Sequence, residues 1–565
     1  MKTRFPLSAD SAAAGSAFTY DLRRALLTLL LICGLLFTWA FSAPRVSAEE
    51  TASSKDIVNI GVTNTINTMN PLLYDGTIVN THALSLQWLP LVEVGSDLNF
   101  VYHLAEEVTT EDNLSFTIKL RDEAKWSDGE DITADDVIFT IMKVTSRGVS
   151  NLNVYGYSLF EGFDEGGQID DDATLEDIPS IKKLDDKTLT LTASSPLPLA
   201  TFLNNYLSYL FVIPQHIYAD YSAEELKTTT DFNQAEVISG PYHLVDLSLD
   251  HYASYTANEN YWLGEPKIKQ LNLKVLQGSG LLAGLQSGEI DVIQPTMATI
   301  PVEDQAAIEG LDGYTVVYDK PLTNNLLFIN QEVIPDAKVR QAIHQVIDRQ
   351  LLLDAFINGK GEVTEGFVSS FSPYFDEELE NTAYDPEAAK ALIEESDWDP
   401  DKELKYIINS GDPIFANAAN LLVQELGDIG IKAKVQSLDL NSLLAAANSG
   451  DYDLLSVQYT ILPLDYIMDM QFLVGSDEKT NNWSNYQSEE MRQAIADALQ
   501  VKDDDADGLK AAYGQIDRLV QKDEPFISLY FQSPMGVVSN QLENVVPSAY
   551  GFFAHVEDWY FAPAE

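Results

Sequence analysis

The most informative pattern of apolar and polar positions runs through residues 114–145. Apolar and polar side chains alternate over residues 115–120, which predicts a half-buried strand. Residues 126–129 read Trp-Ser-Asp-Gly, a sequence typical of a tight turn. Thr133 is a good helix N-cap, and an apolar stripe in residues 137–144 predicts the helix that follows it. We therefore expect a strand, a turn and a capped helix, without a reactive side chain.

Strand-like and helix-like patterns alternate along the rest of the chain. Strand patterns occur at residues 57–63, 188–192, 268–275, 326–330, 404–408, 431–435, 454–457 and 525–531. Helix patterns occur near residues 335–349, 385–393, 417–426 and 440–447. This alternation predicts an α/β fold, with a substantially parallel sheet in the second half of the chain.

One long apolar run, residues 25–41, lies near the N-terminus. Arg23 and Arg24 precede it, and Val-Ser-Ala follows at 46–48, a small-residue pattern at which a signal peptidase can cut. The run is slightly long for a signal peptide, so residues 1–48 are either a cleaved signal or an uncleaved anchor. Both alternatives export the remainder, to the periplasm or the cell surface. The one cysteine, Cys33, lies in this run, so the exported part cannot form disulfides.

The chain is strongly acidic. It has 34 Lys and Arg against 87 Asp and Glu, for a net charge of −53. Residues 1–48 hold five basic and two acidic side chains, so the remainder has 29 basic and 85 acidic ones and a net charge of −56. A field of this sign repels nucleic acid and anionic lipid. We expect no nucleic-acid partner.

Patterns for catalysis and for metal binding are weak. The motifs H-E-x-x-H, G-x-S-x-G, G-x-G-x-x-G and the P-loop are absent, and the seven histidines show no ligand spacing. Asp503, Asp505, Asp507 and Gly508 satisfy the first half of a calcium loop, but Gly514 stands where a bidentate Glu is needed. A solvated turn between helices is the preferred interpretation. We expect no catalytic residue, no metal and no cofactor.

The amino-acid sequence of residues 120–137 resembles the signature of the bacterial extracellular solute-binding proteins of family 5, which serve peptide and nickel ABC transporters. The signature reads approximately L-R-x-x-x-K-W-S-D-G-x-x-x-T-A-D-D-V, and each of its specified positions is matched here. Further resemblances occur at residues 211–217, 239–242, 258–262, 287–292 and 339–349.

The resemblance implies an α/β fold: a two-lobed clamp like the type II periplasmic binding proteins, with an extra subdomain in the first lobe. Residues 49–294 would form lobe I, with the subdomain inserted at about 92–180. Residues 295–524 would form lobe II, and residues 525–565 would return to lobe I. The chain would cross between lobes near residues 294–297 and again near residues 522–525.

The function implied is that of an ABC importer's substrate-binding component, which captures a small solute between two lobes and delivers it to the permease. An oligopeptide or dipeptide is the expected ligand, and the permease subunits in the membrane are the expected partners of a monomeric binding protein. One alternative is a surface sensor or adhesin that uses the same clamp. A secreted hydrolase is a further alternative, although no nucleophile with a base is visible in the sequence.

Five residues are candidates for ligand binding. Asp75 and Gly76 stand where some peptide binders have an acidic residue followed by Gly. Either Asp75 or Asp465 could hold an ammonium, whereas Tyr459 and Tyr530 could contact the rest of the ligand. There is no Arg between residues 349 and 492, the region from which some relatives draw a guanidinium for the peptide carboxylate. We therefore expect an apolar or cationic peptide, without a tight salt bridge to its carboxylate.

Overall fold

The structure is a computed structural model that describes residues 56–149, 151–410, 413–460, 462, 464, 466–476, 482–502 and 505–563. The apolar run at residues 25–41 with Cys33 lies outside the described residues, as do Asp465 and Asp503. Within the described part, no helix is both long enough and apolar enough to cross a bilayer.

The strands of the described residues are numbered along the chain. They are β1 (Ile57–Val62), β2 (Val92–Val94), β3 (Phe100–Tyr102), β4 (Ala105–Thr109), β5 (Ser115–Leu120), β6 (Ile181–Lys183), β7 (Thr188–Thr192), β8 (Tyr242–Ser248), β9 (Tyr252–Ala257), β10 (Gln270–Val275), β11 (Val292–Ile293), β12 (Tyr314–Tyr318), β13 (Thr323–Ile329), β14 (Gly361–Glu362), β15 (Glu403–Asn409), β16 (Lys432–Leu438), β17 (Leu454–Thr460), β18 (Phe526–Gln532), β19 (Met535–Ser539), β20 (Leu542–Glu543) and β21 (Tyr560–Phe561).

The α-helices of the described residues are numbered in the same way. They are α1 (Ile78–Ser85), α2 (Ala134–Val144), α3 (Leu199–Phe202), α4 (Gln215–Tyr218), α5 (Ala223–Thr228), α6 (Gly278–Ser287), α7 (Val302–Glu309), α8 (Ala337–Val346), α9 (Arg349–Ile357), α10 (Pro386–Glu394), α11 (Pro413–Asp428), α12 (Leu440–Ser449), α13 (Ile467–Met470), α14 (Glu489–Ala498) and α15 (Ala506–Asp523).

The first lobe contains a seven-stranded sheet with the order β12-β19-β11-β1-β10-β9-β8. β1 runs parallel to β10 and β11, and the other neighbouring pairs are antiparallel. The register places Ile60 opposite both Leu273 and Val292, and all three side chains are fully buried. Because β19 comes from the end of the chain, the C-terminal part completes this lobe.

A separate antiparallel sheet, in the order β4-β5-β7-β6, forms the extra subdomain of the first lobe. The sheet extends to Thr192, so the sequence-based limit near residue 180 is too early. Its buried side chains join those of the seven-stranded sheet in one continuous core. Within that core, the rings of Phe116 and Phe202 stack with their centroids 4.0 Å apart.

The second lobe contains a six-stranded sheet with the order β14-β18-β13-β17-β15-β16. β15 is parallel to β16 and β17, whereas β13, β14, β17 and β18 pair in antiparallel fashion. The expectation of a substantially parallel sheet therefore holds only for β15, β16 and β17. Two apolar cores lie in this lobe, and both draw residues from β13 and β18.

The chain crosses between the two sheets at residues 319–322, from β12 to β13, and at residues 533–534, from β18 to β19. The crossings predicted near residues 294–297 and 522–525 therefore need correction. β12 still belongs to the first sheet because it pairs with β19, and β18 still belongs to the second because it pairs with β13. The two crossing segments lie side by side, since the amide of Asp319 donates to the carbonyl of Pro534 at 3.0 Å.

The segment at residues 114–145 has the predicted strand, turn and helix, as β5 and α2. Asp136 accepts hydrogen bonds from the amide and hydroxyl of Thr133, at 2.8 and 3.0 Å, which closes the N-terminus of α2. Trp126 is buried, and the amide of Ser127 donates to the carbonyl of Ile238 at 2.9 Å. The signature residues thus fasten the subdomain to the rest of the first lobe.

Candidate functional site

A cavity of about 540 Å³ lies between the two lobes. Its first-lobe wall consists of Gly76, Asn204, Asn205, Tyr209 and Tyr550. Its second-lobe wall consists of Gln458, Tyr459, Thr460, Leu462, Met468 and Asp469. A volume of this size is typical of sites that hold small ligands.

Gly76 forms a turn just before α1 and has a backbone φ of 78°, a conformation that glycine adopts without strain. The neighbouring Asp75 holds this turn together. Its carboxylate accepts hydrogen bonds from Asn67 Nδ2 at 2.7 Å, the Thr77 hydroxyl at 2.7 Å and Asn80 Nδ2 at 3.0 Å. Burial by itself would raise the pKa of the Asp75 carboxyl, but these hydrogen bonds outweigh it and lower the pKa.

Tyrosine rings form much of the first-lobe wall. Tyr209 stacks on Tyr74, with the ring centroids 5.0 Å apart, and burial raises the pKa of the Tyr209 phenol to about 12. Burial also raises the pKa of the Tyr550 phenol. Both phenols are therefore neutral at physiological pH, and they offer the ligand apolar faces with polar tips.

Asn204 brings an acceptor to the same wall. Its Nδ2 donates to Asn205 Oδ1 at 2.9 Å, whereas its buried Oδ1 has no hydrogen-bond partner among the described residues. A buried amide oxygen without a donor is destabilising, so a donor on the ligand would be favoured there.

Asp469 gives the second-lobe wall its charge. The Tyr459 hydroxyl donates to Asp469 Oδ1 at 2.6 Å, and the Tyr459 ring packs on Phe367 at a centroid distance of 5.7 Å. Burial raises the pKa of the Tyr459 phenol, and the neighbouring Asp469 carboxylate raises it further. Tyr459 therefore acts as a neutral donor that fixes the orientation of the carboxylate.

One edge of β17 is open where the strand reaches the cavity. Along its length β17 pairs with β13, from Leu454 to Thr460. On the other side, β15 pairs with β17 only at Leu454 and Leu455. In the described part of the sheet, residues 456–460 thus keep an edge without a strand neighbour, and residues 458–460 line the cavity. Such an edge can accept an extended chain as an additional strand.

The charge balance of the cavity is one-sided. Among the described residues that line it, Asp469 is charged and no Lys, Arg or His is present. No group of three or more metal-ligating side chains occurs in the described part of the chain. The cavity is therefore suited to a neutral or cationic ligand.

The two lobes also touch each other directly beside the cavity. Val94 and Leu98 of the first lobe pack against Leu322 and Leu462, and each of the four side chains is at most 8% exposed. Further contacts lie near the crossings, where Lys320 Nζ donates to the carbonyl of Ser96 at 2.6 Å. The two lobes are thus in contact beside the cavity.

The candidate residues from the sequence have different positions. Gly76 and Tyr459 line the cavity on opposite walls, and Asp75 lies next to it with its carboxylate engaged in the turn. Tyr530 is 3% exposed and lies in the apolar core of the second lobe, away from the cavity lining. Asp465 lies outside the described residues.

Apart from Gly76 and Tyr459, the lining residues were missed by sequence reasoning, and Asn204, Tyr209, Asp469 and Tyr550 are the most important of them. Asp469 had a weak signal, because it is an acidic residue inside the otherwise apolar run 467–470. Asn204 and Tyr209 lie in one segment and Tyr550 lies near the C-terminus, and no local pattern connects these segments to β17.

Comparison with known proteins supports the architecture. The family described as "Bacterial extracellular solute-binding proteins, family 5 Middle" matches residues 99–481, more than half of the chain. The chain belongs to this family. Its members are extracellular solute-binding proteins, which agrees with a cavity between two lobes.

Three relatives illustrate the range of the family. The oligopeptide-binding protein AppA of Bacillus subtilis (strain 168) is 24% identical over 544 residues, 92% of this chain and 94% of that protein. Its structure in complex with a nonapeptide has a TM-score of 0.71 at 22% identity and covers 90% of this chain and 99% of that one. The structure of CtaP from Listeria monocytogenes has a TM-score of 0.75 at 22% identity, with coverage of 90% and 99%. The nickel-binding periplasmic protein of Escherichia coli (strain K12) is 25% identical over 382 residues, 67% of this chain and 65% of that protein.

Proposed function

We propose that this protein captures a peptide in the cavity between its lobes and delivers it to the permease of an ABC importer. The observation that carries the proposal is the open edge of β17 at the cavity wall. An extended peptide that adds to this edge is held by main-chain hydrogen bonds, which do not depend on its side chains. The name of the B. subtilis relative, an oligopeptide-binding protein, supports the same ligand class.

The charged group of the ligand is best placed against Asp469. An ammonium there would gain an ion pair with a half-buried carboxylate, which the Tyr459 hydroxyl already orients. Asn204 Oδ1 could accept another N–H of the same ligand from the facing wall. Because no cation lines the described cavity, the carboxyl end of the peptide would be held without an ion pair.

The delivery step follows from the two crossings. A clamp joined by two short segments can close around a ligand that contacts both lobes, and a permease can recognise the closed form. Residues 1–48 would then export the protein, as a cleaved signal or as a retained anchor, and the protein would act as a monomer.

Native mass spectrometry of the protein purified from its own host tests the ligand class directly. We expect a peptide to co-purify with the protein. Calorimetry with synthetic versions of that peptide then measures its affinity. Amidation of its carboxyl terminus should leave the affinity nearly unchanged, because no cation would be lost as a partner. A sugar or a metal chelate as the bound molecule would overturn the peptide assignment.

A further inference from the structure

Asp517, on α15, is a buried carboxylate that joins two segments of the second lobe, and it is 2% exposed. The amide of Phe367 donates to Asp517 Oδ1 at 3.0 Å, and the Tyr466 hydroxyl donates to Asp517 Oδ2 at 3.2 Å. Phe367 and Tyr466 are themselves fully buried, and their ring centroids lie 5.9 Å apart. The carboxylate therefore fixes the position of one segment relative to the other.

The first of these segments reaches the ligand cavity through Tyr459. The Phe367 ring packs on the Tyr459 ring with the centroids 5.7 Å apart. Tyr459 lines the cavity, and its hydroxyl donates to Asp469 Oδ1 at 2.6 Å. A shift of the Phe367 backbone would therefore move the ring that supports the Tyr459 donor.

The second segment reaches the same carboxylate along the chain. Tyr466 immediately precedes α13, the one-turn helix that contains Asp469. The amide of Met470 donates to the carbonyl of Tyr466 at 3.0 Å, which closes this turn. The hydrogen bond from the Tyr466 hydroxyl to Asp517 thus fixes the start of the helix. Both connections that begin at Asp517 end at Asp469.

The surroundings of Asp517 permit this close contact at an energetic cost. Gly366 has a φ of 81°, and a Cβ there would lie 2.7 Å from Asp517 Cγ, so a side chain would collide with the carboxylate. Burial raises the pKa of the Asp517 carboxyl to about 7, although the two hydrogen bonds act to lower it. Asp376 also acts to raise this pKa, and Arg518, which pairs with Asp376 at 2.6 Å, acts to lower it. A carboxyl group that is so costly to bury, connected to the wall of a cavity, is a candidate for a functional role.

We propose that Asp517 is a positioning residue for ligand binding, because it holds the Asp469 carboxylate in the orientation that receives the ammonium of the ligand. This inference rests on the proposed function. Asp517 acts through Phe367 and Tyr459 on one side and through Tyr466 and α13 on the other. Among the described residues that line the cavity, Asp469 is the charged one. The effect of Asp517 should therefore be confined to ligands that bring a cation to Asp469.

The test uses calorimetry to measure the affinity of one peptide, with a free and with an acetylated amino terminus, for the unchanged protein, Asp517→Asn and Tyr466→Phe. Asparagine keeps the size of the side chain but presents an acceptor to only one of the two donors. Phenylalanine removes the Tyr466 donor and leaves Asp517 in place. Each variant should bind the free peptide about tenfold more weakly than the unchanged protein does, and the acetylated peptide equally well. A residue that only supports the fold would change both affinities by the same factor.

Glu425→Gln is the matched control. It neutralises another buried carboxyl of the second lobe, whose pKa burial also raises to about 7. The carboxylate of Glu425 accepts from the amide of Asp348 at 3.4 Å, at the start of α9, so it belongs to neither connection. Both forms of the peptide should bind this variant as they bind the unchanged protein.

Urea unfolding verifies that each variant is folded, and Tyr466→Phe, which loses a single hydroxyl, decides the question even if Asp517→Asn does not fold. The inference is overturned if the folded variants bind both forms of the peptide with equally reduced affinity, or if they bind the free form as tightly as the unchanged protein does. Failure of the proposed function looks different. In that case the unchanged protein itself binds no peptide, or binds the free and acetylated forms equally, and the role of Asp517 is rejected with it.

Discussion

Replacing Glu524 with glutamine should stabilise the protein at alkaline pH, because Glu524 belongs to a buried cluster that has a net charge of −1 when its imidazole is neutral. His344 Nδ1 lies 2.9 Å from Glu524 Oε1, and His344 Nε2 lies 3.6 Å from Glu365 Oε1. Arg349 Nη2 lies 2.5 Å from the same Glu365 oxygen. Each of the four side chains is at most 5% exposed. With a neutral imidazole, two carboxylates face one guanidinium, so the cluster becomes neutral only when it holds one extra proton.

The two carboxyl groups respond to this environment in opposite directions. Burial raises the pKa of Glu524 and outweighs the attraction of His344. For Glu365, burial also acts to raise the pKa, but His344 and Arg349 outweigh it and lower the pKa. Arg340 lies close by, but its guanidinium donates hydrogen bonds to the carbonyl oxygens of Asp523, Ile334 and Pro335, the first at 2.9 Å.

The sign of the pH dependence follows from the raised pKa of Glu524. Between its unfolded and folded pKa values, the folded state holds a proton that the unfolded state has lost. The stabilisation is therefore complete below the unfolded pKa and is lost as the pH rises through the folded one. One such proton changes the unfolding free energy by up to about 1.4 kcal/mol per pH unit.

The assay is urea unfolding of the purified protein from about pH 5 to about pH 9. Glu524→Gln should match the unchanged protein at the acidic end and exceed it at the alkaline end. Asp517 and Glu425 also have pKa values raised by burial to about 7, but both are present in each protein, so the difference between the curves isolates Glu524.

Glu365→Gln is the contrasting variant. It leaves the Arg349 guanidinium buried without its carboxylate, so it should destabilise the protein by about 3–5 kcal/mol across the whole pH range. Parallel curves for Glu524→Gln and the unchanged protein would show that Glu524 binds no proton in this range and would refute the assignment of the extra proton to Glu524.

Three further predictions concern the whole molecule. Added sodium chloride should raise the melting temperature, because salt screens the repulsion among 85 acidic side chains outside residues 1–48; an unchanged melting temperature would contradict this. Leu322→Asp should separate the lobes by placing a charge among the buried side chains of Val94, Leu98 and Leu462, and small-angle scattering should then record a larger radius of gyration without ligand; an equal radius would count against this contact between the lobes. Chelation of divalent metal should leave the melting temperature unchanged, whereas a sharp fall would point to calcium at the loop that begins with Asp503.

Local structure was predictable from sequence where the determinants are local. The strand β5 and the helix α2 have the predicted limits because alternation, the Thr133 cap and the apolar stripe all lie within the segment itself. In the run at residues 339–349, Asp348 caps α9 by accepting from the amide of Leu351 at 2.9 Å. These family motifs therefore stabilise the scaffold.

The crossings were not predictable in the same way, because strand pairing joins residues that are distant in sequence. β12 pairs with β19, which follows about two hundred residues later, and nothing in the pattern of either strand identifies its neighbour. The mixed direction of the second sheet has the same origin, since β18 enters it between β13 and β14.

The ligand cavity shows a related limit. Tyr459 and Tyr530 both belong to strands that combine apolar and aromatic residues, yet one lines the cavity and the other packs in the core. Periodicity identifies the faces of a strand but does not say which face meets a cavity. The weak signal of Asp469 in the sequence points to the ligand site only once the fold places its carboxylate against the Tyr459 hydroxyl.

The central claim is that a peptide binds between the lobes with its ammonium on Asp469, and a double-mutant cycle by calorimetry tests it most directly. The cycle combines Asp469→Asn with a peptide whose amino terminus is free or acetylated, and Asp75→Asn is the control because that carboxylate is engaged in the Gly76 turn. Each single change should weaken binding by about 1.5–3 kcal/mol, and the second change should add little once the first is present. Equal affinities of the free and acetylated peptides for the unchanged protein would contradict the account.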